Sequence, residues 1–193
     1  EKPLSTNIDH TYKLLKAAEK LNLLIVEAYY YQFNEQYNFI KTKFLENKSK
    51  TFSIISKFGI PKLLRPSFRE KKNLGASAFW DVGCYPISLV SDFFDPKDLK
   101  VKFAQIYPFS NQDIDRRGLS LMTTSCKHNV FVHWGMGVSY QNSIEIWFDD
   151  FNLKSEFIFS KTDNKEVIIK FRDLNGFESC KKFKNENIIK NFY

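Results

Sequence analysis

Glycine is scarce in this sequence, with seven among 193 residues. There is no GxGxxG segment after a strand-like run and no GxxxxGK[ST] segment, so the chain carries neither a dinucleotide-binding fingerprint nor a phosphate loop. Long apolar runs are also lacking, since none approaches the roughly 18 residues that a membrane helix requires. No signal-peptide pattern precedes the first residues. We therefore expect a soluble, cytoplasmic protein with no membrane partner.

Cysteine and histidine are sparse as well. The three cysteines, Cys84, Cys126 and Cys180, are an odd number without a CxxC pair, which is typical of reduced thiols rather than of a disulfide framework. We interpret all three as packing residues. His128 and His133 lie among alternating apolar residues, with no carboxylate or cysteine at metal-ligand spacing. The sequence therefore predicts no metal site.

Positive charge is the one compositional excess, with a formal net charge of +7. The basic residues are scattered, and the densest cluster, KKFK at 181–184, lacks the arginines and interleaved aromatic residues of a groove that follows a nucleic-acid backbone. This distribution favours a lysine-rich surface that keeps the protein soluble. We do not expect a nucleic-acid partner.

The first third of the chain alternates between helical and strand patterns. Helical spacing of apolar residues predicts a helix that is capped by Ser5 or Thr6 and ends near Asn22. The apolar run LLIVEAYYY, residues 23–31, predicts a buried strand. Residues 51–60, TFSIISKFGI, predict a second strand, and a short amphipathic helix is expected between the two.

From residue 75 onward the pattern changes twice. Residues 75–94 have helical periodicity, with Pro86 expected in a first turn or at a kink. From residue 99, short β-rich runs such as VKFAQIYPF, SIEIWFD and SEFIFS alternate with turn residues. These runs predict an α+β fold in which an open, largely antiparallel sheet carries helices on one face.

Two short motifs stand out against this background. EKP occupies residues 1–3, and WDVGCYP occupies residues 80–86, which places Asp81 and Tyr85 four positions apart on one face of a helical segment. Taken singly, each residue has a plain structural explanation: a solvated terminal side chain for Lys2, a helix cap for Asp81, and a core ring for Tyr85.

The motifs and their order resemble the Gfo/Idh/MocA family of nicotinamide-dependent oxidoreductases. In that family EKP ends a strand of the nucleotide-binding domain and is followed by a helix and a strand, as EKPLST is followed here by LLIVEAYYYQF. An NxR-like stretch and a Gly-rich segment then lead into DxGxH or DxGxY. SFR at 67–69, GAS at 75–77 and DVGCY at 81–85 occur here in that order.

The resemblance implies a division of the chain and a missing part. Residues 1–31 resemble the last part of a Rossmann domain, and residues 32–193 resemble the family's substrate-binding and dimerisation domain. We expect that the rest of the Rossmann domain precedes Glu1 in a complete protein, and that the chain alone is inactive. A homo-oligomer formed through the sheet face is also expected by resemblance.

The implied reaction transfers hydride between NAD or NADP and a secondary alcohol of a sugar, nucleotide sugar or related diol. Lys2, Asp81 and Tyr85 are the implied catalytic residues: Tyr85 exchanges the hydroxyl proton, Lys2 stabilises the alkoxide, and Asp81 orients the substrate or Lys2. Arg69, Asp81 and Tyr85 are the implied substrate contacts. The cofactor contacts are implied to be Glu1, Lys2, Pro3 and Gln32.

Several positions depart from the family pattern. Gln32 stands where the family's YRF supplies an arginine, Ser67 replaces the asparagine of NxR, and Ala76 and Ser77 replace two glycines. Because these positions are expected near the cofactor or substrate, the reaction type is better defined than the substrate. Arg69 retains the place of the NxR arginine, where it either binds a phosphate or hydroxyl group or is a solvated loop residue.

Two other functions remain open at this level. The chain can be a non-catalytic remnant or dimerisation module of the same family, which an exposed apolar sheet face would favour. It can also be a basic protein that binds nucleic acid or acidic sugars, which would show as steep salt dependence of binding.

Overall fold

The computed structural model describes residues 2–64, 68–109, 112–160 and 166–184, so Glu1 and Ser67 lie outside the described residues. It confirms an α+β fold with an open, largely antiparallel sheet. The helices are α1 (Ile8–Lys20), α2 (Glu35–Glu46) and α3 (Cys84–Phe93). The strands are β1 (Thr51–Ile60), β2 (Lys100–Phe109), β3 (Gln112–Thr123), β4 (Asn129–Met136), β5 (Gln141–Phe148), β6 (Phe151–Glu156), β7 (Val167–Asp173) and β8 (Glu178–Phe183).

The eight strands follow the order β2-β3-β4-β1-β5-β6-β7-β8. Strand β1 pairs in parallel with β4 and antiparallel with β5, and the other neighbouring pairs are antiparallel. The predicted strand at 51–60 coincides with β1. In SEFIFS only the first two residues belong to a strand, because β6 ends at Glu156.

The two faces of the sheet differ in burial, as strand alternation requires. On β1, Ile54, Ser56 and Phe58 are buried and face the helices, while Ile55 and Lys57 between them are partly exposed. We call the face of the sheet that carries Ile55 and Lys57 the open face.

Helices α2 and α3 form a layer on the buried face. The ring of Phe44 on α2 stacks on that of Phe93 on α3, with centroids 4.7 Å apart. The pattern that predicted α2 is confirmed by the burial of Tyr37, Ile40 and Phe44. The two helices are therefore joined to each other by stacked aromatic rings within the buried core.

The strand predicted over residues 23–31 is wrong. Residues 23–29 have no strand pairing, and Tyr30–Phe33 form a turn of 3-10 helix. Leu24 is 90% exposed, whereas Tyr29 and Tyr31 are buried. An apolar run becomes a strand only where a neighbouring strand accepts its backbone hydrogen bonds, and among the described residues none does so here.

Two further expectations are resolved around α3 and the cysteines. The helical stretch begins with one π-helical turn, Phe79–Gly83, and continues as α3, so Pro86 lies in the first turn of α3. Cys84 is buried as expected, but Cys126 and Cys180 are exposed and are not packing residues.

Of the helices in the described ranges, none has both the length and the apolar composition needed to span a bilayer.

Candidate functional site

The segment before α1 brings Lys2 towards the sheet. Asn7 caps α1 by accepting hydrogen bonds from the backbone N–H groups of Asp9 and His10. The backbone N–H of Leu4 donates to Glu27 Oε1 over 2.7 Å. These contacts fix the direction of the first residues relative to the segment after α1.

Asp81 lies on the π-helical turn Phe79–Gly83. The backbone N–H of Phe79 donates to Asp115 Oδ2 on β3 over 2.8 Å, and that of Asp81 donates to the carbonyl oxygen of Ser77 over 3.1 Å. Asp115 therefore ties the start of this turn to the sheet. A π-helical turn of this kind is frequent at functional sites.

Glycine at position 83 lets the turn approach the sheet closely. A Cβ at this position would lie 2.9 Å from Cγ of Trp134, whose indole also covers Gly118 on β3. The glycine of the DVG sequence is thus explained by close contact with a strand residue. This close contact packs the turn that carries Asp81 against β4.

The carboxylate of Asp81 binds two cations. Lys2 Nζ lies 3.2 Å from Asp81 Oδ1 and also donates a hydrogen bond to the main-chain carbonyl of Asp81. The guanidinium of Arg69 donates to both carboxylate oxygens, through Nε to Oδ2 and through Nη2 to Oδ1 at 3.2 Å. The side chains of Lys2 and Asp81 are only 15% and 13% exposed, so water screens their attraction weakly.

Tyr85 lies next to this ion cluster on α3. Lys2 Nζ is 4.5 Å from the centroid of the Tyr85 ring, which is within cation–π distance. Four other aromatic rings surround Tyr85 at centroid distances between 5.1 and 6.2 Å: Tyr29, Tyr31, Phe58 and Phe159. These rings leave the Tyr85 ring little freedom to turn.

Tyr29 and Cys84 line the buried side of the same cluster. Burial, with a smaller effect from Cys84, raises the pKa of Tyr29 far above its usual value. Burial also raises the pKa of the Cys84 thiol, although the charge of Lys2 opposes this shift. Both groups therefore keep their protons near neutral pH.

The structure thus places Lys2, Asp81, Tyr85 and Arg69 together. Pro3 follows Lys2 and is partly exposed. Gln32 lies within hydrogen-bonding reach of the Tyr31 hydroxyl, and none of its described contacts is with Lys2, Asp81 or Arg69.

Sequence reasoning missed Asp115 and the rings around Tyr85. Of these residues, Tyr29 and Tyr31 lie in LLIVEAYYYQF, a segment that carries the family resemblance, whereas Phe58 and Phe159 lie in runs that were interpreted only as strands. No local spacing marks the remaining residues, Phe58, Asp115 and Phe159, because they come from strands and loops far away in the chain.

The cluster carries a net charge of +1, from two cations and one carboxylate. This balance suits a substrate oxygen on which negative charge develops. Within the described ranges, no three His, Cys, Asp or Glu side chains are arranged to hold a metal ion.

Comparison with known proteins identifies oxidoreductases, although no protein-family model matches the chain. A trans-1,2-dihydrobenzene-1,2-diol dehydrogenase from Xenopus laevis is 33% identical over 96 residues, which are 49% of this chain and 29% of that protein. A dTDP-3,4-didehydro-2,6-dideoxy-alpha-D-glucose 3-reductase from Saccharopolyspora spinosa is 25% identical over 148 residues, covering 76% of this chain and 44% of that protein.

The fold also occurs in a solved structure. KijD10, a 3-ketoreductase from Actinomadura kijaniata, was crystallised with NADP and TDP-benzene. It matches 98% of this chain and 58% of its own with a TM-score of 0.89 and 20% identity. The fold is therefore shared with a nicotinamide-dependent reductase. The chain spans less than half the length of each of the two curated relatives.

Proposed function

We propose that this chain is the substrate-binding part of an NAD(P)-dependent oxidoreductase of the Gfo/Idh/MocA family. The reaction transfers hydride between nicotinamide and a secondary alcohol of a sugar, nucleotide sugar or related diol. One observation carries the proposal: Lys2 and Asp81, 79 positions apart in the chain, form a poorly exposed ion pair against the ring of Tyr85.

Each residue of this cluster has a role in the proposed reaction. When the alcohol carbon loses hydride, its hydroxyl must also lose a proton, and Tyr85 is proposed to accept it. Lys2 stabilises the negative charge that develops on the oxygen. Asp81 holds Lys2 in place, and Arg69, which binds both oxygens of Asp81, contacts the substrate from the exposed side of the cluster.

The described residues fit the reacting end of a nicotinamide cofactor. Nicotinamide supplies the hydride chemistry when it is bound. Lys2 and Tyr85 supply proton exchange and charge beside the reacting carbon, and we propose Glu1, Pro3 and Gln32 as further cofactor contacts. The sequence has no GxGxxG segment, so other residues must bind the pyrophosphate.

We propose that residues 1–31 are the last part of a nucleotide-binding domain, and that residues 32–193 form the substrate-binding and dimerisation domain. Helix α1 buries only Ala18, while Ile8, Tyr12 and Leu21 are exposed. The neighbouring residues 23–29 are neither helix nor paired strand, and Leu23, Leu24 and Val26 are exposed. An apolar helix face beside such a segment is what a βα unit presents to the sheet of a nucleotide-binding domain.

The test uses the protein as its source organism makes it, assayed with NADH and NADPH against keto sugars and diols. We expect turnover that falls by about 10²-fold or more in Lys2→Ala and in Tyr85→Phe. Lys50→Ala, which changes an exposed lysine paired with Asp150, serves as the control and should retain turnover. Full activity in Lys2→Ala, or no turnover by the natural protein, would contradict the proposal.

The open face of the sheet favours a second candidate role, as a dimerisation module. Phe103 and Trp147 are both exposed there, and Leu121 and Phe131 lie between them. We propose that a second copy of the chain covers this patch.

Sedimentation should show a dimer, which Trp147→Lys should weaken. Phe177→Lys, which changes an exposed ring in the β7–β8 turn, should leave the dimer intact. A monomer at all concentrations would exclude this role.

A further inference from the structure

A cavity of about 590 Å³ lies where β2, β3 and β4 meet, beside the exposed patch that contains Phe103, Leu121 and Phe131. Its lining includes Tyr107, Arg117, Leu119, His133 and Val138. Arg117, Leu119 and His133 alternate along their strands with the buried residues Gly118 and Trp134, so their side chains emerge on the open face. We call this cavity the open-face hollow.

Val138, which forms one wall of the hollow, packs where two paired residues lack side chains. Gly59 on β1 lies opposite Gly135 on β4. A Cβ on Gly135 would lie 3.2 Å from both methyl carbons of Val138 and 3.6 Å from Cγ of Arg117. Val138 therefore packs over the two glycines beside the stem of Arg117, a place that a side chain at position 59 or 135 would take from it.

The charged residues around the hollow are all basic. Arg117 and His133 line it, and Lys57 lies directly opposite His133 on β1. Arg116 also lines the cavity, but it alternates with Arg117 and donates a hydrogen bond to the carbonyl oxygen of Arg69. No Asp or Glu is among the residues that line the cavity, and within the described ranges Arg117 has no acidic partner. An arginine without a carboxylate partner favours the binding of an anion.

The rest of the lining is largely apolar. Tyr107, which lies opposite Arg117, contributes a ring, and Leu119 and Val138 contribute aliphatic surface. A guanidinium binds carboxylate and phosphate groups through two parallel hydrogen bonds. The ligand chemistry that fits both features is an anionic group attached to an apolar or aromatic body.

We propose that the open-face hollow binds a small organic oxyanion, with its carboxylate or phosphate at Arg117 and His133 and its apolar body against Tyr107, Leu119 and Val138. The hollow is separate from the Lys2 and Tyr85 cluster. Phe58 contacts Tyr85 on the buried face, whereas the side chains of Arg117 and His133 emerge on the open face. The proposal is thus independent of the hydride-transfer reaction.

The test follows the imidazole signals of His133 by NMR while phenyl phosphate or benzoate is added to the chain. The control ligand is benzyl alcohol, which has a similar body and no charge, and inorganic phosphate tests whether the apolar body contributes. We expect saturable shifts with phenyl phosphate, benzoate or both, a weaker response to inorganic phosphate, and none to benzyl alcohol. The response to each anion shows whether the natural group is a phosphate or a carboxylate.

Arg117→Gln should weaken binding about ten-fold or more, as loss of a bidentate charged contact implies. The matched control is Arg172→Gln, which removes an exposed arginine paired with Glu178 on the same face but outside the hollow. It should leave binding unchanged. The proposal is overturned if no anion gives a saturable shift, if the two arginine variants weaken binding equally, or if benzyl alcohol binds as well as the anions.

Discussion

The ammonium group of Lys2 donates hydrogen bonds to both the main-chain carbonyl and the carboxylate of Asp81. The same carboxylate accepts hydrogen bonds from Arg69. One residue of the turn before α3 thus binds two cations from separate segments of the chain. Asp81 is the residue on which the arrangement of the whole cluster depends.

Replacing Asp81 by asparagine should leave these two cations close together without a counter-charge. We expect the free energy of unfolding to fall by about 2–4 kcal/mol, near the value for breaking a poorly exposed ion pair. Urea unfolding measures the change. Asp150→Asn, which affects an exposed pair with Lys50, should have a much smaller effect. Equal losses in the two variants would show that the Asp81 cluster does not contribute to stability.

The contact between Gly118 and Trp134 should not tolerate a methyl group. A Cβ at position 118 would lie 2.2 Å from Cζ2 of Trp134 and 3.0 Å from the backbone oxygen of Gln105. We expect Gly118→Ala to destabilise the protein by about 1–3 kcal/mol through overpacking.

A double-mutant cycle identifies the cause of this loss. Trp134→Leu removes the obstructing ring, so Gly118→Ala should cost less free energy in that background than in the natural protein. An equal cost in both backgrounds would point to the backbone of β3 rather than to the indole.

The stacked rings of Phe44 and Phe93 should contribute strongly to stability. Phe44 is fully buried, so Phe44→Ala should lower the free energy of unfolding by about 3–5 kcal/mol. Phe52→Ala removes the same atoms from a side chain that is 55% exposed, and should cost about 1 kcal/mol or less. Thermal and urea unfolding of the two variants provide the comparison. Similar losses would contradict the assignment of Phe44 to the core.

His133 should make stability depend on pH. Partial burial, and then the charge of Lys57, lowers the pKa of His133 below its ordinary value of 6.5. Lys57 lies opposite on β1, and on β3 Leu119 lies opposite with Arg117 diagonally beside it, so no carboxylate faces the imidazole from these two strands. The unfolded chain therefore binds the proton more readily than the folded protein does.

The sign of the effect follows from this difference. Stability associated with His133 is present above pH 6.5 and is lost as the pH falls through that value. Urea unfolding at several pH values should show a shallower decline in His133→Gln than in the natural protein. His10 and His128 are unchanged in both proteins and supply the remaining slope. Identical slopes would exclude His133 as the source.

Local patterns in the sequence predicted most of the elements. The strand-like run TFSIISKFGI predicted β1 at its observed bounds, and an amphipathic pattern predicted α2, whose buried residues include Tyr37, Ile40 and Phe44. The same reasoning failed at residues 23–31, where apolar character was taken as evidence of a strand. Pairing depends on what lies beside a segment, which its own residues do not encode.

The candidate site was only partly predictable. Resemblance of short motifs indicated Lys2, Asp81, Tyr85 and Arg69, but it did not indicate that Arg69 binds Asp81 or that four rings enclose Tyr85. Those contacts join residues from the first segment, the turn before α3, β1 and the loop after β6. Their catalytic and cofactor roles stay predictions until variants are assayed.

By itself the sequence determined the α+β class, the alternation along β1 and the residues available for chemistry, because these depend on composition and on spacing between near neighbours. Only the tertiary structure decided which of those residues meet. The parallel pairing of β1 with β4 brings Gly59 opposite Gly135, where Val138 packs at one wall of the open-face hollow, and brings Lys57 opposite His133. Such contacts depend on strand order and register, which arise from the packing of the whole chain rather than from any single segment.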